Sequence, residues 1–180
     1  KRGNIFVESH TLSYLCKNKF VMPQKKLYTL SQALEYAKAY CAKSEHCQSE
    51  VIEKLRSYSV CSEDIEQCLA ELISSGFINE QRYADLFARS KFHQNKWGKI
   101  KISQHLKAKD ISDYCIKKAL DAIDGEEYMQ TLLSLAEKKL VEIDCSNRLV
   151  AKRKLTAFLY GRGFEFDCIN RALDCLEDAL

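Results

Sequence analysis

Proline is almost missing from this sequence. Pro23 is the single proline among 180 residues, so the strongest helix breaker is missing from about residue 28 onward. Glycine is also scarce, at six residues, and no apolar run approaches the roughly 20 residues that a membrane-spanning helix needs. No signal-peptide pattern precedes the first periodic segment. We therefore expect no membrane span, and long helices can form without interruption.

The usual chemical motifs are missing as well. Nine cysteines are present, but no two of them form a Cys-x-x-Cys pair, so neither a zinc ribbon nor a thioredoxin-like couple is supported. The four histidines are scattered, and no glycine-rich phosphate loop, nucleophile elbow or zinc-protease motif occurs. We predict no catalytic residue, no metal site and no cofactor. An odd number of cysteines without a secretory signal favours reduced thiols in a cytosol.

What the sequence does contain is a helical pattern of apolar residues. They recur at spacings of three and four, as Tyr83, Leu86 and Phe87 do, and this spacing is typical of one buried helix face. Strand-like alternation occurs only at 4–7 and 19–27. We predict an all-α body of about nine helices.

The sequence also repeats with a period much longer than that of a helix. Segments 51–72, 102–123 and 155–176 align without a gap, at offsets of 51 and 53 residues. Equivalent positions hold Leu55, Leu106 and Leu159; Val60, Ile111 and Phe164; Ile65, Ile116 and Ile169; and Cys68, Ala119 and Ala172. A period of about 50 residues is typical of a tandem array of one supersecondary unit. We predict three tandem three-helix repeats, helix-turn-helix-like at their second corner, that form an elongated, curved array.

The predicted organisation has four parts. An N-terminal segment at 1–28, either a short hairpin or disordered, precedes repeats at 29–78, 79–125 and 126–180. The predicted helices cover 29–42, 49–57 and 62–74 in the first repeat, 79–94, 99–109 and 112–123 in the second, and 126–142, 147–161 and 166–178 in the third. Four glycines lie where the apolar pattern pauses and are predicted to stop helices: Gly76, Gly98, Gly125 and Gly161.

The net charge of +3 conceals a separation of charges. Segments 89–109 and 148–163 contain basic residues and no acidic residue, at equivalent positions of the second and third repeats, whereas acidic residues gather in the third helices. We predict that the two segments share a surface that contacts the phosphate backbone of a nucleic acid. The candidate binding residues are Arg89, Lys91, Lys96, Trp97, Lys99, Lys101, Lys107, Lys109, Arg148, Lys152, Arg153, Lys154 and Arg162.

Each of these features also has a plainer interpretation. A charge run is often only a solvated helix face. Trp97 could stack on a base or could pin the corner between the first two helices of its repeat, which we favour. A sequence-reading helix-turn-helix protein would place base-reading side chains on the third helix, but that of repeat 2 mixes Asp113 and Asp121 with Lys117. Base-specific recognition of a duplex is therefore disfavoured.

Three stretches resemble one protein family. Residues 76–84, Gly-Phe-Ile-Asn-Glu-Gln-Arg-Tyr-Ala, are similar to the "G-hydrophobic-hydrophobic-D-D/E-x-R-F/Y-A" stretch of the RecX regulators. Trp97-Gly98 followed by Ile102, Leu106 and a Lys-Asp-Ile corner at 109–111 resembles that family's next segment. Phe-Leu-x-x-Arg-Gly-Phe at 158–164 resembles its closing repeat. This sequence departs from the pattern at Asn79, Asp110 and Trp97, and residues 1–28 match nothing in it.

The resemblance implies a bacterial, cytoplasmic, non-enzymatic regulator. It would bind the filament that the recombinase RecA forms on single-stranded DNA and would limit the filament's ATPase and strand exchange during recombinational repair. The resemblance also implies binding of single-stranded DNA, with double-stranded DNA as a further partner. A monomer is the simplest expectation. Two alternatives stay open, a helical-repeat scaffold without a nucleic-acid partner and a basic helix-turn-helix DNA-binding protein.

Overall fold

In the computed structural model, residues 28–143 and 147–176 are described, and these residues form nine α-helices and no strand. The helices are α1 Leu30–Cys41, α2 Gln48–Ser57, α3 Ser62–Ser74, α4 Glu80–Asn95, α5 Lys99–Lys107, α6 Asp113–Asp121, α7 Gly125–Val141, α8 Arg148–Gly161 and α9 Phe166–Cys175. The all-α prediction is confirmed, and the helix bounds lie close to those predicted. The strand-like stretches and the predicted segment before residue 28 lie outside the described residues.

The helices pack in three successive groups of three. Helix α1 packs on α2 and α3, α4 on α5 and α6, and α7 on α8 and α9, which confirms the predicted tandem three-helix repeats. The repeat alignment is also confirmed, because the equivalent residues Leu55, Leu106 and Leu159 are all fully buried. The exact boundaries between repeats and the curvature of the array stay predictions.

Five of the helices are directly preceded by a residue whose side chain caps the helix. In each case the side-chain oxygen accepts a hydrogen bond from the backbone N–H three residues later, which satisfies one of the donors left over in the first turn. These caps are Thr29, Asn79, Ser112, Asp124 and Asn147. Asn79, a departure from the family pattern, therefore caps α4 in this structure.

The buried residues fall into two hydrophobic clusters. One cluster is built from α1 to α3, with Val51, Leu55 and Leu72 fully buried. The other joins the second and third repeats, with Cys47 as its contribution from the first. Repeats 2 and 3 thus share one core, whereas repeat 1 has its own.

Two sequence expectations are wrong in detail. Leu86 was expected on a buried face but is 52% exposed, because α4 buries a stripe through Ala84, Ala88 and Phe92 on its other side. Gly98 and Gly125 do not stop helices, since Gly98 precedes the first residue of α5 and Gly125 is the first residue of α7.

Within 28–143 and 147–176, no helix combines the length and the apolar character needed to cross a membrane. The same residues hold no group of three or more His, Cys, Asp or Glu side chains placed to hold a metal ion.

Candidate nucleic-acid interface

The joint between repeats 2 and 3 brings the two acid-free segments together. The Gly98 N–H donates to the Arg162 carbonyl oxygen at 2.9 Å, and the Ile100 N–H donates to the Gly163 carbonyl oxygen at 3.0 Å. Gly163 adopts a left-handed φ of +90°, and a Cβ added there would lie 2.3 Å from the Cβ of Lys101. The start of α5 therefore lies directly on the end of α8, and the two glycines make this approach possible.

A cluster of basic residues surrounds Trp97 at this joint. The indole stacks on the His105 ring with centroids 4.6 Å apart. The Lys91 and Lys101 Nζ atoms lie 5.4 and 4.9 Å from its centroid, within cation–π range. We call Lys91, Trp97, Lys101 and Arg162 the corner cluster. Because three side chains contact the half-buried indole, this geometry favours a role for Trp97 in pinning the corner between α4 and α5.

Arg162 links the two repeats. Its Nη1 donates to the Asn95 carbonyl oxygen at 3.1 Å, and its guanidinium lies 5.3 Å from the Phe158 ring centroid. Lys101 crosses in the other direction, with Nζ 3.4 Å from the Gly161 carbonyl oxygen. Lys96 ends α4 in a left-handed conformation with φ of 54°. The corner cluster thus concentrates positive charge and also holds the repeats together.

Lys109 lies at a different joint, between repeats 1 and 2. Its Nζ donates to a Glu50 carboxylate oxygen at 2.7 Å, and that carboxylate also accepts from the Tyr83 hydroxyl at 3.0 Å and contacts His46 Nδ1 at 2.9 Å. Burial opposes ionisation of Glu50, but the hydrogen bonds outweigh it and lower the pKa of Glu50. The bond to Glu50 in turn raises the pKa of Lys109. Lys109 is therefore engaged in an ion pair away from the corner cluster.

Two further predicted residues lie beside carboxylates. Lys107 pairs with Asp113 at 2.9 Å. Arg89 lines a cavity of about 220 Å³ together with three acidic residues, which are Asp85, Asp124 and Glu127. The structure therefore does not bring all the predicted residues onto one surface.

The remaining predicted residues lie on α8 and at the start of α5. Arg148, Arg153 and Lys154 are exposed on α8, and Lys152 is half-buried. The Lys99 backbone N–H donates to the Tyr128 hydroxyl at 2.9 Å, and its Nζ lies 5.2 Å from the Tyr128 ring centroid. The exposed cations of α8 thus extend the positive surface away from the corner cluster.

Two aromatic residues near this joint were not predicted. Tyr160 and Phe166 are 49% and 53% exposed, and their rings stack with centroids 4.7 Å apart. Tyr160 lies inside the acid-free segment 148–163, and that position was the one signal in the sequence that could have marked it.

Known proteins share both the domains and the fold. Residues 79–120 match the family model described as RecX, second three-helix domain, and residues 126–173 match RecX, third three-helix domain. The chain is 31% identical over 151 residues to the regulatory protein RecX of Clostridium acetobutylicum, covering 82% of this chain and 68% of that protein. It is 31% identical over 141 residues to the regulatory protein RecX of Acinetobacter baylyi, covering 78% and 85%.

Solved structures agree on the fold. The crystal structure of RecX from Lactobacillus salivarius superposes with a TM-score of 0.76 at 24% identity, covering 82% of this chain and 96% of that one. A second crystal structure, of a regulatory protein RecX, superposes with a TM-score of 0.72 at 21% identity, covering 81% and 73%.

Proposed function

This chain belongs to the RecX family of regulatory proteins, and from that membership we propose that it binds the filament of RecA on single-stranded DNA and inhibits its ATPase and strand exchange. One observation carries the proposal beyond the family name. The joint between repeats 2 and 3 joins the two acid-free segments through backbone hydrogen bonds, so that their cations lie along adjoining helices.

This surface suits a phosphate backbone better than base edges. Lys96 is half-buried where α4 ends, and Arg153 and Lys154 are exposed on α8. Long flexible cations at separate points can follow a regular polyanion without reading its sequence. The protein acts in this proposal as a non-enzymatic monomer in the bacterial cytoplasm, where the recombinase filament assembles.

The direct test is the DNA-dependent ATPase of RecA. The recombinase from the matched species is assembled on single-stranded DNA, and this protein is added from substoichiometric to excess amounts. We expect the ATPase rate to fall when far less than one molecule of this protein is present per RecA protomer. The reason is that a protein bound along or at the end of a filament affects many protomers. An unchanged rate in excess protein would refute the proposal.

A charge-reversal pair tests the DNA-binding surface itself. We expect Arg153→Glu with Lys154→Glu to weaken binding to single-stranded DNA and to reduce its salt dependence by roughly 0.7 log units per log unit of salt for each lost phosphate contact. The matched control is Lys117→Glu with Lys118→Glu, which reverses two exposed lysines on α6. Equal loss in both pairs would indicate a general charge effect and not a surface on α8.

A further inference from the structure

A groove runs between α5 and the end of α8. It encloses about 320 Å³ and is lined by Ile100, Lys101, Gln104, His105, Tyr160, Gly161 and Gly163. No acidic residue is among these lining residues. The neighbouring groove between α5 and α6 differs, because Asp113, Asp121 and Glu165 lie there among its lysines. Of these two grooves, only the one at Tyr160 has a lining that attracts an anion without opposing carboxylates.

Tyr160 and Phe166 form an aromatic pair at the edge of this groove. Their rings are nearly parallel, at 22°, so each covers one face of the other, and each side chain stays about half exposed. The corner between α8 and α9 is already filled by Leu159 and Phe164, which are fully buried. The corner therefore does not need Tyr160 and Phe166 as core residues, and packing does not explain why two aromatic rings are exposed there.

We propose that Tyr160 and Phe166 are a stacking platform for a base of single-stranded DNA, with the adjoining phosphates held by Lys101 and Arg153. This inference rests on the proposed function and deepens it, because it identifies where a base would bind. Aromatic rings beside cations are the usual means of binding single strands without sequence preference, since every base has a π-face.

Two cations lie near the aromatic pair, one in the groove and one on α8. Lys101 lines the groove, and its ammonium has three donors. One donor points toward the Gly161 carbonyl oxygen, and the same Nζ lies 4.9 Å from the Trp97 ring centroid. Arg153 is exposed and precedes Tyr160 by seven residues of α8. Seven residues are two helical turns, so Arg153 lies on the same side of the helix, roughly 10 Å from Tyr160 along the axis.

The test separates base binding from phosphate binding. The full chain is titrated with an oligothymidylate and with an abasic strand of the same length, which carries the same phosphates. We expect the wild type to bind the abasic strand about 5- to 150-fold more weakly, the range expected for stacking of one base. The ratio of the affinity for the oligothymidylate to the affinity for the abasic strand should fall toward one in Tyr160→Ala. Tyr160→Phe keeps the ring and should retain the wild-type ratio.

Two further variants keep the result interpretable. Tyr114→Ala removes a 73% exposed tyrosine of α6 and should leave the ratio unchanged. Phe166→Ala removes the other half of the platform and should lower the ratio independently, even if Tyr160→Ala fails to fold. Equal wild-type binding to the two strands, or an unchanged ratio in both platform variants, would overturn the platform.

The proposed function fails in a different way. If the protein inhibits the RecA ATPase but does not distinguish the two strands, the platform is wrong and the regulatory function stands. If the strands are distinguished but the ATPase is unaffected, the platform is supported and the proposed target is wrong.

Discussion

Glu50 is a single carboxylate that holds side chains from both sides of the joint between repeats 1 and 2. Lys109 and Tyr83 donate to it from repeat 2, and His46 contacts it from its own repeat. A half-buried ammonium left without its carboxylate loses a charged hydrogen bond and stays partly desolvated. The stability of this joint therefore depends on the ionisation of one residue.

We expect Glu50→Gln to lower the free energy of unfolding at pH 7 by about 1–2 kcal/mol. Because hydrogen bonds lower the pKa of Glu50 in the folded protein, its contribution is present above the ordinary glutamate pKa of about 4.3. The contribution is lost as the pH falls through the lower folded pKa. Urea unfolding at pH 7, 5 and 3 should show the difference between wild type and variant shrinking at the acid end.

The control for this prediction is Glu53→Gln, which removes an exposed carboxylate from the same helix. Glu53→Gln should change the free energy of unfolding little at any of the three pH values. A constant difference between wild type and Glu50→Gln from pH 7 to pH 3 would mean that the ionisation of Glu50 does not stabilise the joint.

At the scale of elements, the contact between the start of α5 and the end of α8 depends on missing side chains. A Cβ on Gly98 would lie 2.2 Å from the Gly163 carbonyl oxygen. Backbone lies on both sides of this contact, so a substitution must displace one helix relative to the other. Gly161, only two residues from Gly163, has nothing within 4 Å of its would-be Cβ.

These two glycines make a matched pair of substitutions. Gly98→Ala should lower the free energy of unfolding by about 1–3 kcal/mol through overpacking. Gly161→Ala, at the last residue of α8, should leave it unchanged or raise it by up to about 1 kcal/mol. Urea denaturation of both variants checks the pair, and a tolerated Gly98→Ala would show that the close approach of the two helices is unnecessary.

The helices themselves could be predicted from the sequence, because local signals determine them. The spacing of apolar residues and a cap such as Ser112 act within a few residues. Gly98 shows the limit of local signals. A side chain is excluded there by the backbone of Gly163, which is 65 residues away in sequence. Leu86 shows another limit, because its apolar spacing matched a face that the packing of α4 leaves exposed.

The candidate site was predicted in part for the same reason. Charge runs mark cations near in sequence, but whether a cation faces solvent depends on partners that are distant in sequence. Lys109 is paired with Glu50, 59 residues away, and this pairing cannot be seen from the acid-free run around it. The platform residues Tyr160 and Phe166 are conspicuous only once their exposure is known.

At the scale of the whole molecule, the two hydrophobic clusters predict two cooperative units. Repeats 2 and 3 share one buried cluster, which includes Phe92 and Leu155. Repeat 1 is stabilised by its own cluster and contributes only Cys47 to the buried residues of the other one. Polar contacts also join repeats 1 and 2, among them a bidentate pair of Arg82 with Glu45 at 2.9 and 3.1 Å. In repeat arrays, stability is divided between the repeats and the interfaces that couple them.

Two equivalent core substitutions test this division. Leu55→Ala and Leu159→Ala remove side chains that are fully buried at the same repeat position, and each should cost about 2–5 kcal/mol. Hydrogen exchange should show Leu55→Ala increasing exchange in α1 to α3 alone. Leu159→Ala should increase it in α4 to α6 as well as in α7 to α9, because these helices share a core. If Leu159→Ala increases hydrogen exchange only in α7 to α9, then the joint at Gly98 and Gly163 does not couple repeats 2 and 3. The two acid-free segments would then not be held rigidly side by side, as the proposed DNA surface requires.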